Sequence, residues 1–156
     1  NQAHKKGTAL EILADVDGPI DGFCSGFGTG GTLSGIGAVL KEKNPKMTIW
    51  AVEPENAAIL AGGSIGTHMQ MGIGDGVIPE NLNREIYDEL YIVTDEEAIQ
   101  TAKDLARKEG LMVGISSGTN VAAALQLAKK LGPGKTVVTV LPDTAERYFS
   151  TPLFEA

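Results

Sequence analysis

A glycine-rich turn near the start of the chain carries its clearest chemical signal. The segment from Cys24 to Thr32 reads CSGFGTGGT, follows a short apolar run and precedes a helical pattern that begins at Leu33. Such a turn lets several backbone N–H groups point outward together at the positive end of a helix, which creates a site for an anion. The turn contains no lysine or arginine, so amides and hydroxyls would have to hold that anion.

Two ligands are compatible with this turn, and a purely structural role is a third alternative. Gly26, Gly28 and Gly31 satisfy the pattern G-x-G-x-x-G, and Glu53 lies where a dinucleotide-binding fold places its ribose-binding carboxylate. That pattern predicts an NAD(P)-binding oxidoreductase. The shorter core Gly28-Thr29-Gly30-Gly31-Thr32 instead offers amides and hydroxyls that suit a terminal phosphate monoester. Without a ligand, the glycines would only let the helix pack closely on the sheet.

A second turn, Gly114-Ile115-Ser116-Ser117-Gly118, favours the phosphate monoester. It follows an apolar run and precedes another helical pattern. Its structural alternative is a serine cap, which Ser117 would supply, for a helix from Gly118, but two serines are more than a cap requires. Both turns would then lie at the carboxyl ends of strands, which is the edge where open α/β sheets bind ligands. One ligand with a phosphate at one end and a polar ring atom at the other would contact both turns.

Strands and helices alternate around these turns. The expected strands are 20–24, 47–52, 89–93 and 136–141. The last is continuously apolar, as in a parallel strand covered on both faces. The expected helices are 8–16, 94–110 and the two that follow the turns, with a capping box between Thr94 and Glu97. This alternation predicts one α/β domain over residues 1–156, a three-layer parallel sheet with helices on both faces.

The segment 61–82 breaks the periodic pattern. It contains six glycines and a proline: Gly62, Gly63, Gly66, Gly72, Gly74, Gly76 and Pro79. Irregular segments of this length in compact domains tend to be functional or mobile. We therefore predict a loop that lines a binding site.

Composition limits the classes of function. The net charge of −7 provides no basic surface for nucleic acid and opposes binding to an anionic membrane. No apolar run approaches the roughly 20 residues of a membrane span. The single cysteine, Cys24, excludes an internal disulfide and is expected to be buried, and no Cys and His residues have metal-ligand spacing. These features fit a cytoplasmic protein without a metal.

Five stretches together resemble the cysteine synthase family, also called O-acetylserine sulfhydrylase, whose members are pyridoxal-phosphate enzymes of fold type II. Besides the two turns, they are Ala51-Val52-Glu53-Pro54, the segment from Gly72 to Pro79 (GIGDGVIP), and the segment from Leu141 to Thr151 (LPDTAERYFST). They occur in the order found in the family's C-terminal part and span most of the chain. The resemblance also gives Glu53 a place in a family motif without any ribose.

The resemblance implies a cofactor, a reaction and partners. Gly28, Thr29, Gly30, Gly31 and Thr32 would bind the phosphate of pyridoxal 5′-phosphate. Ser116 would contact the ring nitrogen, and Gly72 and Gly74 would belong to the substrate-entrance loop. The implied reaction is a β-replacement that makes L-cysteine from O-acetyl-L-serine and sulfide. The implied partners are a second copy in a homodimer and the tail of serine acetyltransferase.

The chain also departs from the family pattern. The family holds its cofactor as a Schiff base on a lysine well before the phosphate turn. Only Lys5 and Lys6 precede Gly26 here, and neither has the family's motif around it. We therefore expect a fragment of a larger two-domain enzyme, without the catalytic lysine and inactive alone. A non-catalytic phosphate-binding module is the remaining alternative.

Overall fold

The structure, a computed structural model, describes residues 1–154. Within these residues the α-helices are α1 (Gln2–Lys6), α2 (Thr8–Asp15), α3 (Gly31–Lys43), α4 (Asp95–Asp104) and α5 (Ile115–Leu131). A π-helical turn, Leu105–Glu109, continues α4, and short 3-10 helices lie at Glu55–Ala57 and Ala145–Tyr148. The strands are β1 (Gly22–Gly26), β2 (Thr48–Pro54), β3 (Glu89–Val93) and β4 (Val137–Val138). None of the helices in this part of the chain is both long and apolar enough to cross a membrane.

The strands form one parallel sheet in the order β3-β2-β1-β4. Gly22 in β1 lies opposite Thr48 in β2 on one side and Val137 in β4 on the other. Trp50 in β2 lies opposite Glu89 in β3. Parallel neighbours require crossover connections, which are here supplied largely by helices. The predicted α/β fold is therefore confirmed.

Two cores lie on opposite faces of the sheet. Side chains alternate between the faces along a strand, so neighbouring residues in β1 enter different cores. Phe23 packs with Leu33 and other buried residues of α3, whereas Cys24 packs with Leu127 of α5 and with residues of α4. The molecule therefore has three layers, with α2 and α3 on one face and α4 and α5 on the other.

The last strand differs from its prediction. Residues 136–141 were expected to form a strand covered on both faces, but β4 contains only Val137 and Val138, and both are half-buried. β4 lies at the edge of the sheet and pairs only with β1 among the described residues. This edge position explains why the strand is short and only half-buried. The continuously apolar sequence is therefore not matched by burial on both sides.

The helix after the second turn begins earlier than expected. Ile115 is the first residue of α5, and Gly114 occupies the N-cap position without a side-chain cap. Ser117 therefore lies inside the first helical turn, and the structural alternative in which it caps a helix from Gly118 is wrong. The capping box of α4 is confirmed, because the Thr94 side chain accepts from the Glu97 N–H and the Glu97 carboxylate accepts from the Thr94 N–H.

Candidate functional site

A cavity of about 760 Å³ lies at the carboxyl ends of β1 and β4. Its walls come from the glycine turn before α3, the first turn of α5, the residues after β4 and part of the irregular segment. The residues of the two predicted turns that line it are Gly26, Phe27, Gly28, Thr29, Gly30, Gly31, Thr32 and Ser116. The structure thus brings together both ends of the ligand site predicted from the sequence.

The shape of the glycine turn depends on two of its glycines. Gly30 has a left-handed backbone (φ 81°), and a Cβ there would lie 2.8 Å from the Cα of Leu82. A Cβ on Gly28 would lie 2.5 Å from the carbonyl oxygen of Gly72. Any side chain at either position would therefore push against the irregular segment, so glycine is needed for this close approach.

The turn presents a run of backbone donors to the cavity. The N–H groups of residues 28–33 find no acceptor among the described residues. They lie at the start of α3, whose N-cap Gly30 has no capping side chain. Consecutive free N–H groups at a helix N-terminus fit a phosphate group, since they donate to its oxygens and the helix dipole favours its charge.

A histidine also reaches this turn. His4 lines the cavity, and its Nε2 lies 3.3 Å from Thr32 Oγ1 while its Nδ1 lies 3.1 Å from Thr8 Oγ1. The tautomer decides which member of each pair donates. Sequence reasoning missed this contact because it requires α1 to pack on α3. The available signal was Gly35, where a Cβ would lie 2.7 Å from the His4 Cβ.

Ser116 marks the other end of the cavity. Its side chain is in the first turn of α5, is 4% exposed, and has no hydrogen-bond partner among the described residues. One turn later, the Asn120 amide accepts from the Gly26 N–H at 2.7 Å and donates to the Val140 carbonyl at 2.9 Å. Asn120 thereby fixes α5 to the ends of both neighbouring strands. The sequence analysis did not identify it.

The buried Tyr148 and the half-buried Asp143 form a pair beside the start of α5. The Tyr148 hydroxyl donates to Asp143 Oδ2, and burial, together with this carboxylate, raises the pKa of Tyr148 to about 12. Asp143 Oδ1 is buried and has no partner among the described residues. A Cβ on Gly114 would overlap both side chains, so glycine at the N-cap position leaves room for the pair.

The irregular segment forms one wall, as expected. Gly72, Ile73 and Asp75 line the cavity, and the Gly74 N–H donates to the Phe27 carbonyl at 3.2 Å. Gly74 itself does not line the cavity, and a Cβ there would meet Pro54 and His68. The assignment of Gly72 and Gly74 to a substrate-entrance loop remains a prediction.

Glu53 lies elsewhere and has a structural role. Its side chain is 1% exposed, and its carboxylate accepts from the N–H groups of Leu60 at 2.9 Å and Ala61 at 3.1 Å. Burial raises its pKa, although these amide hydrogen bonds oppose the shift. Because both oxygens are occupied and Glu53 does not line the cavity, the geometry gives the dinucleotide hypothesis no ribose-binding carboxylate.

No lysine lines the cavity among residues 1–154. The cationic side chain at its border is that of Arg147, which lies near Tyr148 at the end of the chain. Guanidinium groups stay protonated in proteins, so Arg147 cannot form a covalent bond to an aldehyde as a lysine does. The described residues therefore provide binding groups for a phosphorylated ligand without a covalent anchor.

Comparisons with known proteins found both a matching family and similar sequences. A family model described as pyridoxal-phosphate dependent enzyme matches residues 1–143. Cysteine synthase B of Campylobacter jejuni subsp. jejuni is 58% identical over 152 residues, which are 97% of this chain and 50% of that protein.

Solved structures show the same architecture. The structure of an O-ureido-L-serine synthase superposes with a TM-score of 0.94 at 42% identity, covering 99% of this chain and 49% of that one. O-acetyl serine sulfhydrylase isoform 3 from Entamoeba histolytica gives a TM-score of 0.94 at 37% identity, covering all of this chain (100%) and 48% of the other. The chain spans about half the length of the curated relatives it matches. It belongs to the pyridoxal-phosphate dependent enzyme family.

Proposed function

We propose that this cavity binds pyridoxal 5′-phosphate in a cysteine synthase that makes L-cysteine from O-acetyl-L-serine and sulfide. The observation that carries the proposal is the pairing of two features in one cavity. The free N–H groups of residues 28–32 form one end, and the hydroxyl of Ser116, without a partner among the described residues, forms the other. A dinucleotide would not need Ser116, and a simple phosphate would not need the rest of the cavity.

At the end of the cavity formed by the glycine turn, which we call the phosphate end, backbone amides and hydroxyls would bind the ligand without a cationic side chain. The N–H groups of Gly28, Thr29, Gly30, Gly31 and Thr32 would donate to phosphate oxygens, and the two threonine hydroxyls would add further donors. The dianionic charge would be balanced by the α3 dipole rather than by a cationic side chain. The segment around Gly72 would cover this end and exclude water from it.

At the end of the cavity formed by Ser116, which we call the ring end, a hydroxyl would set the protonation state of the ligand's ring nitrogen. The hydroxyl of Ser116 would donate to the ring nitrogen, and a neutral donor leaves that nitrogen largely unprotonated. A carboxylate at the same place would favour the protonated form. The cofactor, when bound, supplies an electron sink for replacement of a β-substituent, and Ser116 would keep that sink moderate.

The remaining parts of the proposal concern the whole protein. Relatives bear the names cysteine synthase and O-ureido-L-serine synthase, which supports a β-substituted serine as the substrate class. We place the covalent lysine in a segment outside residues 1–156, so that this chain alone binds but does not turn over. A homodimer, a serine acetyltransferase tail as partner and a cytoplasmic location complete the proposal. Neither nucleic acid nor a membrane is among the proposed partners.

Ligand binding tests the proposal directly. Pyridoxine 5′-phosphate lacks the aldehyde, so it reports the cavity without reacting with surface lysines. Calorimetric titration of the chain should show one site for this ligand and none for NADH. Gly28→Ala should abolish binding because its Cβ would approach the Gly72 carbonyl to 2.5 Å. Binding of NADH instead, or no effect of Gly28→Ala, would overturn the proposal.

A chemical test addresses the missing anchor. Borohydride reduction of the chain with pyridoxal 5′-phosphate, followed by mass spectrometry, should give no stoichiometric adduct at a specific lysine. If one lysine were modified completely and selectively, the anchor would lie within this chain and the assignment of the lysine to another segment would be wrong.

A further inference from the structure

Gln70 is buried behind the cavity wall that the irregular segment forms at residues 71–73. Its side chain has no exposed surface (0%), and it directly precedes the lining residues Met71, Gly72 and Ile73 without lining the cavity itself. A buried amide group loses its hydrogen bonds to water on folding, and this costs free energy unless the protein replaces them. The partners of Gln70 therefore indicate what this residue holds together.

The side chain of Gln70 joins three elements. Its Nε2 donates to the Val93 carbonyl at 3.0 Å and to Asp95 Oδ1 at 2.9 Å. Its Oε1 accepts from Thr119 Oγ1 at 2.8 Å. Because the Val93 carbonyl can only accept, the amide nitrogen must face it, and the orientation of the amide is determined. One residue thus ties the irregular segment to β3, α4 and α5.

The backbone around Gln70 is fixed at the same place. Asp95 Oδ2 accepts from the Met69 N–H at 2.9 Å, so one carboxylate holds both the main chain and the glutamine side chain. Further along, Ile73 lies over Gly26, where an added Cβ would approach its side chain to 2.9 Å. The wall is therefore anchored behind the cavity by Gln70 and in front of it by the glycine turn.

We propose that Gln70 is a positioning residue that sets the distance between this wall and the helix carrying Ser116. The proposal rests on the function proposed above. Thr119 lies on α5 one turn after Ser116, so its hydrogen bond to Gln70 acts on the turn that presents the hydroxyl. The glycine turn needs no such help, because its donors belong to consecutive backbone groups. Loss of Gln70 should therefore affect a ligand that touches both ends more than one that touches only the phosphate end.

Two ligands separate these effects. Pyridoxine 5′-phosphate spans the cavity, whereas inorganic phosphate occupies only the glycine turn. Gln70→Met keeps the length of the side chain and removes its three hydrogen bonds. Titration of the 156-residue chain should give a Kd for pyridoxine 5′-phosphate raised about tenfold and a Kd for phosphate changed by less than about twofold. Thr119→Val removes the hydrogen bond to Gln70 together with the one to the Ile115 carbonyl in the same helix. It leaves the other two hydrogen bonds of Gln70 in place, so it should act in the same direction by a smaller factor.

A remote variant controls for a general loss of stability. The Asn44 amide donates to the Ile20 carbonyl at 2.9 Å and accepts from the Lys46 N–H at 3.2 Å, and Asn44 does not line this cavity. Asn44→Ala should leave the ratio of the two Kd values unchanged. Equal weakening of both ligands by Gln70→Met, or no weakening of either, would overturn the positioning role.

The design also separates this inference from the proposed function. If the unchanged chain binds phosphate but not pyridoxine 5′-phosphate, the proposed function fails and the positioning role fails with it. If the unchanged chain binds both ligands and only the variants fail to discriminate, the positioning role alone is overturned. Should Gln70→Met not fold, Thr119→Val decides the question by the same ratio.

Discussion

The two ends of the cavity are built in different ways. At the glycine turn, the proposed donors are consecutive backbone N–H groups of residues 28–32, and no side chain caps the helix that follows. At the start of α5, the proposed donor is the side chain of Ser116, which lines the cavity. Its position depends on residues far away in sequence, because Asn120 contacts Val140 and Thr119 contacts Gln70.

The donors at the glycine turn depend on one short segment, whereas the position of the Ser116 hydroxyl depends on residues from several segments. A backbone donor is placed by the conformation of its own segment, so a few glycines specify the phosphate end. A side-chain donor on a helix is placed by everything that packs against that helix. A backbone change at one glycine should therefore abolish ligand binding at the glycine turn. At the α5 end, each of several side-chain substitutions should weaken ligand binding by a smaller amount.

The largest effect is expected for Gly30→Ala. The left-handed backbone (φ 81°) costs a non-glycine residue about 1–2 kcal/mol. The new Cβ would also lie 2.8 Å from the backbone of Leu82, and overpacking of this kind costs typically about 1–3 kcal/mol. Urea unfolding should show a free energy of unfolding lower by the sum of these terms, and titration should show loss of phosphate binding.

Gly62→Ala is the matched control. Gly62 has a nearly identical φ of 84°, but nothing lies within 4 Å of an added Cβ. It should show the conformational cost of about 1–2 kcal/mol and no change in phosphate binding. If Gly30→Ala and Gly62→Ala lose the same stability and neither changes phosphate binding, the close contact between the glycine turn and the irregular segment does not contribute to the phosphate end.

An intermediate effect is expected for Tyr148→Phe at the α5 end. The change removes the one hydrogen bond of a carboxylate whose other oxygen, Asp143 Oδ1, is already buried without a partner among the described residues. An unpaired buried group costs about 1–3 kcal/mol. Urea unfolding at neutral pH should show a loss in this range.

Tyr148→Phe should also change how the free energy of unfolding depends on pH. The folded-state pKa of Tyr148 is raised from 10.0 to about 12, so the folded state holds the proton more tightly than the unfolded state. The stability from this group is fully present below about pH 10 and is lost as the pH rises towards 12. The difference between the wild type and Tyr148→Phe should therefore shrink over that window.

Tyr87→Phe controls for the loss of a hydroxyl. Tyr87 is half-buried against the core on the other face of the sheet, and its hydroxyl has no hydrogen-bond partner among the described residues. Tyr87→Phe should not change the stability at neutral pH. A constant difference between Tyr148→Phe and the wild type up to pH 12 would contradict the assigned pKa shift.

The sequence predicted most of what is local in this molecule. It located β3 at residues 89–93, the capping box at Thr94 and the glycine turn, and it placed the site at the ends of the strands. Each of these features depends on neighbouring residues or on alternation between strands and helices. The lining of the cavity by Gly72 followed from the same reasoning about irregular segments.

The features that the sequence missed depend on distant contacts. The start of α5 at Ile115 depends on Asp143 and Tyr148 packing against Gly114, and the short β4 depends on its position at the sheet edge. Gln70 gave no signal because a glutamine in an irregular segment is usually exposed. Its role is visible only once β3, α4 and α5 are in place around it.

The smallest effect is expected for Ser116→Ala. Removal of one hydroxyl should cost about 1 kcal/mol of ligand interaction, which raises the Kd for pyridoxine 5′-phosphate about fivefold while the Kd for inorganic phosphate stays the same. The loss should be confined to the ligand that spans both ends, because Ser116 has no hydrogen bond within the described residues to disrupt.

Ser117→Ala provides the control from the same helical turn. The Ser117 hydroxyl is buried without a partner among the described residues, and Ser117 does not line the cavity. Removing an unsatisfied buried polar atom should leave stability unchanged or raise it slightly, and should affect neither ligand. If Ser117→Ala weakens pyridoxine 5′-phosphate as much as Ser116→Ala does, the ring end is sensitive to helix packing in general and Ser116 is not its specific donor.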